Sequence, residues 1–215
     1  MLGKRYLETT HSLLDRIGAE QIAKIQEAGA MIAECWASGG AVFITEMGHG
    51  VASELTNRAG GLMGLKHLNP EAKKDLKGGD VVFVGSVSGR NREPIDLAME
   101  CRRIGAKVVV LSSLEYTAEV ASKHPSGKKL ADVGDLVIDL CAPFGDASLE
   151  IEGLPVKALP VSGVAFITIL WMICGEAIEN MLARGLRPHV YMSYNRDDGT
   201  EFNEKELAEY NRIGY

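Results

Sequence analysis

The stretch VVFVG, residues 81–85, is apolar at every position and too short to be a buried helix. A strand that covers one face of a sheet alternates apolar and polar residues; one that does not alternate is covered on both faces. AVFIT (41–45), KVVVLSS (107–113) and DLVIDL (135–140) repeat the pattern, and LKHLN (65–69) is a weaker instance. Strands of this kind need helices on both sides, and those helices also return the chain to a parallel neighbour. The segments between the runs supply them. Residues 93–104 read as a helix with Pro94 in its first turn, where a missing N–H costs nothing, and Gly105 ends it. Short buried strands alternating with helices mean an α/β fold: helices on both faces of an open, mainly parallel sheet.

Outside this core the pattern is helical at both ends. Leu7, Leu13, Leu14, Ile17, Ile22, Ile25, Ala28, Ile32 and Cys35 recur at helical spacing over residues 6–37, with a break marked at Gly18. GHGVASELTNRAGG reads as a loop, a helix and a glycine stop. A weaker helix covers 116–123, and 142–160 is irregular with a strand near 149–151. Residues 161–184 form a long helix, apolar on every side in its first half, which calls for burial under the domain or against another subunit. The tail, 186–215, reads as an extended segment, a polar turn and a short helix. With 215 residues and no linker, repeat or low-complexity segment, the chain is a single domain, 1–215, with N-terminal helices over 1–38.

A net charge of −6 without a local Lys/Arg cluster excludes a non-specific nucleic-acid binder. Cys35, Cys101, Cys141 and Cys174 form no C-x-x-C pair and read as buried thiols in a reducing compartment. The five histidines show no ligand spacing, so no metal is expected, nor any cofactor. VAFITILWMIC (164–174) falls short of a bilayer span and is followed by Glu176 and Glu179, and MLGKRYLETT lacks the apolar run of a secretory signal. The expectation is a cytoplasmic protein that does not engage a membrane.

In open α/β sheets ligands sit beyond the carboxyl ends of the strands, at helix N-termini. Two loops there carry suitable chemistry: Gly48-His49-Gly50-Val51-Ala52-Ser53 and Ser86-Val87-Ser88-Gly89-Arg90-Asn91. Glycine lets backbone N–H groups approach an anion, and serine adds hydroxyl donors without bulk. Ser112-Ser113 ends the next strand on the same edge. Together these point to an oxyanion, above all a phosphate. There is no Gly-Lys-Ser/Thr of a P-loop, and Gly85-Ser86-Val87-Ser88-Gly89 puts valine where a nucleophile elbow has serine. The dinucleotide fingerprint fails at Ser53, and a nicotinamide enzyme leaves the Ser86 loop unexplained.

VVFVGSVSGRNREPIDLAMECRRIGAKVVVLSS resembles the signature of the sugar isomerase (SIS) domain, and MGHGVASELTNRAGGL resembles that family's first loop and helix. The tail, VYMSYNRDDGTEFN, is similar to that of SIS proteins related to phosphoheptose isomerases. The resemblance implies a flavodoxin-like α/β/α sandwich that binds a phosphorylated sugar, assembled as a homodimer or homotetramer with sites near subunit interfaces. It places Ser86, Ser88, Gly89 and Asn91 on the phosphate and Gly48, Gly50 and Ser53 in the same pocket; Ser112 joins them from the next strand. Many members have threonine at Asn91 and serine near Gly50.

Aldose–ketose isomerisation needs a carboxylate or imidazole over the sugar. Glu54, His49 and His67 are the candidates, with His189, Glu176 and Glu179 able to approach from the C-terminal region or a neighbouring subunit. Phosphoheptose isomerases also use a histidine on the last helix, and residues 161–184 contain none. The expected function is a sugar-phosphate isomerase. The alternatives are a non-catalytic sugar-phosphate sensor, or a lyase or etherase acting on an amino-sugar phosphate.

Overall fold

The computed structural model describes residues 1–47, 50–69 and 71–215. In chain order the elements are α1 (Leu2–Glu20), α2 (Ile22–Ala37), β1 (Val42–Ile44), α3 (Val51–Leu55), β2 (Leu65–His67), β3 (Val81–Gly85), α4 (Arg92–Ile104), β4 (Lys107–Ser112), α5 (Leu114–Glu119), β5 (Leu136–Asp139), β6 (Ala147–Leu149), β7 (Ala158–Pro160), α6 (Ser162–Ala183) and α7 (Gly199–Ile213). Single 3-10 turns cover Ala72–Asp75 and Leu130–Val133.

The five strands β1 to β5 pair in the order β2-β1-β3-β4-β5, every pair parallel. Successive side chains of each strand go to opposite faces. Val42, Ile44, Val81, Phe83, Val109, Leu111 and Ile138 enter one core, under α1, α2, α3 and α6. Phe43, Val82, Val84, Val108 and Val110 enter the other, under Ile95, Ala98 and Cys101 of α4 and under Leu130 and Val133. The result is the three-layer α/β/α sandwich expected from the unalternating strands.

Several boundaries differ from the sequence reading for a physical reason. The N-terminal helices part at Gln21 rather than Gly18, because the Gln21 side chain is buried and its Oε1 accepts from the Asp139 N–H at 3.1 Å. Residues 142–160 contain an antiparallel pair, β6 and β7, joined at Ala147–Pro160 and Leu149–Ala158. The final helix, α7, is 15 residues long, not short.

α6 is 22 residues and, by length and composition, long and apolar enough to cross a bilayer, contrary to the estimate from residues 164–174 alone. In the fold its inner face, including Phe166, Ile169, Ile173 and Ala177, lies in the core against α2. The approach is close: a Cβ at Gly29 of α2 would stand 2.4 Å from Glu176 Cβ. Its other face is covered only in part; Val164, Ile167, Trp171 and Ile178 are half-buried and Leu182 is exposed. All four cysteines are buried free thiols, and burial pushes Cys174 up to about 12.

The tail is tied down by backbone pairing. The Gly60 N–H donates to Tyr191 O, the Tyr191 N–H to Gly61 O and the Met63 N–H to His189 O, all at 2.8–3.0 Å. Asn203 on α7 imitates a strand neighbour: Oδ1 accepts from the Met192 N–H and Nδ2 donates to the Met192 carbonyl.

Candidate functional site

The strand order reverses between β1 and β3, the position at which a sheet of this order opens a crevice beyond its carboxyl edge. The chain between Gly85 and α4 is built for that crevice. Ser112, at the end of β4, is fully buried, and its hydroxyl lies 2.8 Å from the Ser86 carbonyl and 3.2 Å from that of Val87. Thr117 of α5 stands 3.1 Å from Ser112 Oγ and donates to the Ser88 carbonyl at 3.1 Å. The Leu130 and Lys123 N–H groups take the carbonyls of Gly89 and Arg90. Every carbonyl from Ser86 to Arg90 therefore has a protein donor.

The donors of the same loop are left over. Among the described residues, the N–H groups of Val87, Ser88, Arg90 and Asn91 have no protein acceptor, and neither Ser86 nor Ser88 engages its hydroxyl. Asn91 caps α4 with backbone alone, its side chain exposed and uncommitted. Acceptors turned inward and donors turned outward, at the start of a 13-residue helix, make a cradle for an anion. Gly89 makes the turn at φ +59°, and a Cβ there would come within 2.9 Å of Ser112 Oγ.

Beside this loop lies a cleft of about 360 Å³, with Thr45, Glu46 and Met47 after β1, Leu68 after β2, Ser86 and Val87 from the loop, and Glu93, Pro94 and Leu97 of α4 in its walls. Its mixed lining, with Thr45, Glu46, Ser86 and Glu93 among apolar side chains, suits a small polar organic ligand. Thr45 is 5% exposed, and its hydroxyl is buried without a partner among the described residues.

The expected residues divide into four sets. Ser86, Ser88, Gly89 and Asn91 come together in the loop between β3 and α4. Ser112 is close by but fully buried, and its hydroxyl holds the loop's carbonyls rather than facing a ligand. Gly48 and His49 lie outside the described residues. Gly50, at φ +76°, precedes α3; Ser53 is exposed and Glu54 is half-buried in an ion pair with Arg58. His67 is exposed at the end of the edge strand β2. Gly50, Ser53, Glu54 and His67 are all absent from the walls of the cleft.

His189 is buried away from that cleft, with Nδ1 2.6 Å from Glu206 Oε2 and Nε2 unpartnered among the described residues. Burial pushes the Glu206 carboxyl up, but hydrogen bonds from Arg187 and His189 outweigh it and hold the group below its usual range. Sequence reasoning missed Thr45, Glu46 and Glu93, which line the cleft, and Thr117, which holds the loop. For Glu46 and Thr45 the signal was position alone: they are the first two residues beyond a strand that borders the switch point.

Residues 5–73 and 68–113 match the family model described as the SIS domain. A UPF0309 protein of Listeria innocua is 35% identical over 233 aligned positions, covering 96% of this chain and 94% of its own. Among solved structures, phosphoheptose isomerase from Neisseria gonorrhoeae superposes with a TM-score of 0.54 at 12% identity, over 81% of this chain and 97% of that one. The Vibrio vulnificus NanR protein complexed with ManNAc-6P gives 0.51 at 12% identity, over 99% and 69%. At these identities the structural likeness speaks for the fold.

Proposed function

The chain belongs to the SIS-domain family, and from that premise we propose that it binds a phosphorylated sugar at the β1/β3 crevice and interconverts its aldose and ketose forms. The observation that carries the reading is the Ser86–Asn91 loop, whose carbonyls from Ser86 to Arg90 are engaged and whose N–H groups at Val87, Ser88, Arg90 and Asn91 are free among the described residues, beside a ligand-sized cleft. A phosphate supplies acceptor oxygens for those donors, and the sugar extends from it along Ser86 and Val87 toward Thr45 and Glu46. The ManNAc-6P complex and the phosphoheptose isomerase of like fold support the same ligand class.

Glu54 is the base in this reading: its carboxylate takes the proton from the hydroxyl-bearing carbon beside the carbonyl and returns it to the former carbonyl carbon, through an enediolate, while the hydroxyl proton passes to the former carbonyl oxygen. The protein acts as a homodimer or homotetramer, the half-covered face of α6 meeting a second copy. A non-catalytic sugar-phosphate sensor is the competing reading. It is favoured by the position of His67 and by the Glu54–Arg58 pair, both outside the walls of the cleft.

The test is thermal unfolding against a panel of sugar phosphates and the corresponding free sugars. A ligand at a hundred times its Kd adds about 2.7 kcal/mol, a rise of roughly 5–11 °C for a chain of this size. The rise is expected with phosphorylated sugars only, and Ser88→Ala is expected to reduce it. A rise with a dinucleotide and none with any phosphosugar overturns the proposal. For the compound that binds, Glu54→Gln is expected to abolish turnover and leave binding intact; binding by the wild type without turnover decides for the sensor.

A further inference from the structure

On the phosphosugar reading of the site, we infer that Thr45 is a specificity-determining residue of the crevice: its hydroxyl takes one hydroxyl of the bound sugar. Thr45 lines the cleft directly beyond β1 and is 5% exposed. Its backbone N–H donates to the Phe83 carbonyl at 3.0 Å, but its side-chain oxygen is closed to solvent and has no partner among the described residues. The polar side chains of the same lining, Glu46, Ser86 and Glu93, leave it unbonded.

The other buried polar side chains at the carboxyl edge of the sheet are served from within the fold. Ser112 Oγ lies 2.8 Å from the Ser86 carbonyl, Ser113 Oγ 2.6 Å from that of Ala142 and Thr117 Oγ1 3.1 Å from that of Ser88. Asp139 Oδ1 accepts from the Leu114 and Cys141 N–H groups. None of these residues lines the cleft. Two further orphaned atoms, Arg90 Nε and His189 Nε2, belong to residues that are likewise absent from its walls. At the strand ends, the buried group left unpaired among the described residues is the one beside the cleft.

A buried hydroxyl without a partner destabilises a fold, and each such group calls for a reason. A ligand that brings the partner supplies one. Rotation about χ1 moves the hydroxyl between staggered positions, so a group closed off in the free protein turns to the cleft when a partner arrives. A threonine hydroxyl both donates and accepts, as a sugar hydroxyl does, so the two match in either sense; a carbonyl or phosphate oxygen only accepts. The bond also counts for more than most. A hydrogen bond adds little net when both partners first give up water, and the Thr45 oxygen is closed to water from the start.

The experiment compares the full chain with Thr45→Val, which keeps the branched shape and removes the hydroxyl. Without ligand the variant is expected to unfold roughly 2–4 °C above the wild type, since an unpaired hydroxyl has gone. Calorimetric titration of both proteins follows, with glucose, mannose and fructose 6-phosphates, ribose and arabinose 5-phosphates, and the monodeoxy analogues of those that bind. For the wild type, loss of one particular sugar hydroxyl is expected to weaken binding about tenfold, the contribution of a hydrogen bond. Thr45→Val is expected to bind the parent sugar about tenfold more weakly as well, yet to bind the analogue lacking that hydroxyl as the wild type does. A variant that matches the wild type on every compound, or that loses the same factor on all of them, overturns the assignment and leaves the phosphosugar reading standing. So does an unchanged or lowered unfolding temperature, because the hydroxyl then has a partner in the free protein. If no phosphorylated sugar binds the wild type at all, the phosphosugar reading itself falls, and this inference with it.

Discussion

Gly89 is required by two separate facts: its backbone is left-handed at φ +59°, and the space where a Cβ would stand is taken by Ser112 Oγ and Thr117 Oγ1. Gly89→Ala is therefore expected to cost about 1–2 kcal/mol for the backbone alone and to push the loop off the hydroxyls that hold its carbonyls. The checks are a lower urea midpoint and loss of the phosphosugar-dependent rise in unfolding temperature. At this scale the loop was legible from sequence because its requirements are local: a glycine at the turn, small donors around it, a helix start after it. Ser112 was misjudged for the converse reason. A serine at a strand end looks the same whether its hydroxyl faces a ligand or a neighbouring carbonyl, and only the position of the adjacent loop decides. Glu46 and Glu93 were passed over because a carboxylate beyond a strand or in a helix's first turn normally needs no ligand to explain it.

Among elements, the strands were the easiest to read, since a run such as Val81–Gly85 has one stable use, and its observed ends are the expected ones. The β6–β7 pair was not, because its strands are three residues each and acquire their register from one another rather than from any pattern of their own. The α2–α6 crossing was also invisible in sequence. Gly29 reads as a poor helix residue, whereas in the fold it is what lets the two helices approach. Gly29→Ala gains helix propensity but drives a methyl into Glu176, and the contact is expected to dominate, with a net loss of about 1–3 kcal/mol. A lowered denaturant midpoint with an unchanged slope would bear this out; a stabilised variant would show that the crossing relaxes freely.

For the molecule as a whole, the strand order, and so the switch point between β1 and β3, comes from the structure, while the parallel sheet and a crevice beyond its carboxyl edge follow from the alternation of buried strands and helices together with the general rule for such sheets. Which copies meet, and where, does not. The apolar composition of residues 161–184 announced a helix with two covered faces, and one chain covers only one of them. If a second copy supplies the remaining cover, the protein elutes with at least twice the mass of the 215-residue chain, and Leu182→Glu, at a position 56% exposed, lowers that mass without loss of helical signal. A monomeric wild type would refute the assembly while leaving the crevice chemistry untouched.

The packing of α2 on α6 also sets a limit on the order in which this chain can fold. The inner face of α2, with Ile25, Ala28 and Ile32 fully buried, has its main partner in residues 162–183, more than a hundred positions downstream. During synthesis the N-terminal helices therefore emerge with an apolar face whose main partner is not yet made, and the side of the sheet that they share with α6 stays only partly covered until it is. Such late, long-range contacts slow folding and expose the early segments to aggregation. The last helix of the sandwich is thus the one that commits the first, and a nascent chain arrested before residue 162 is a natural client for a chaperone.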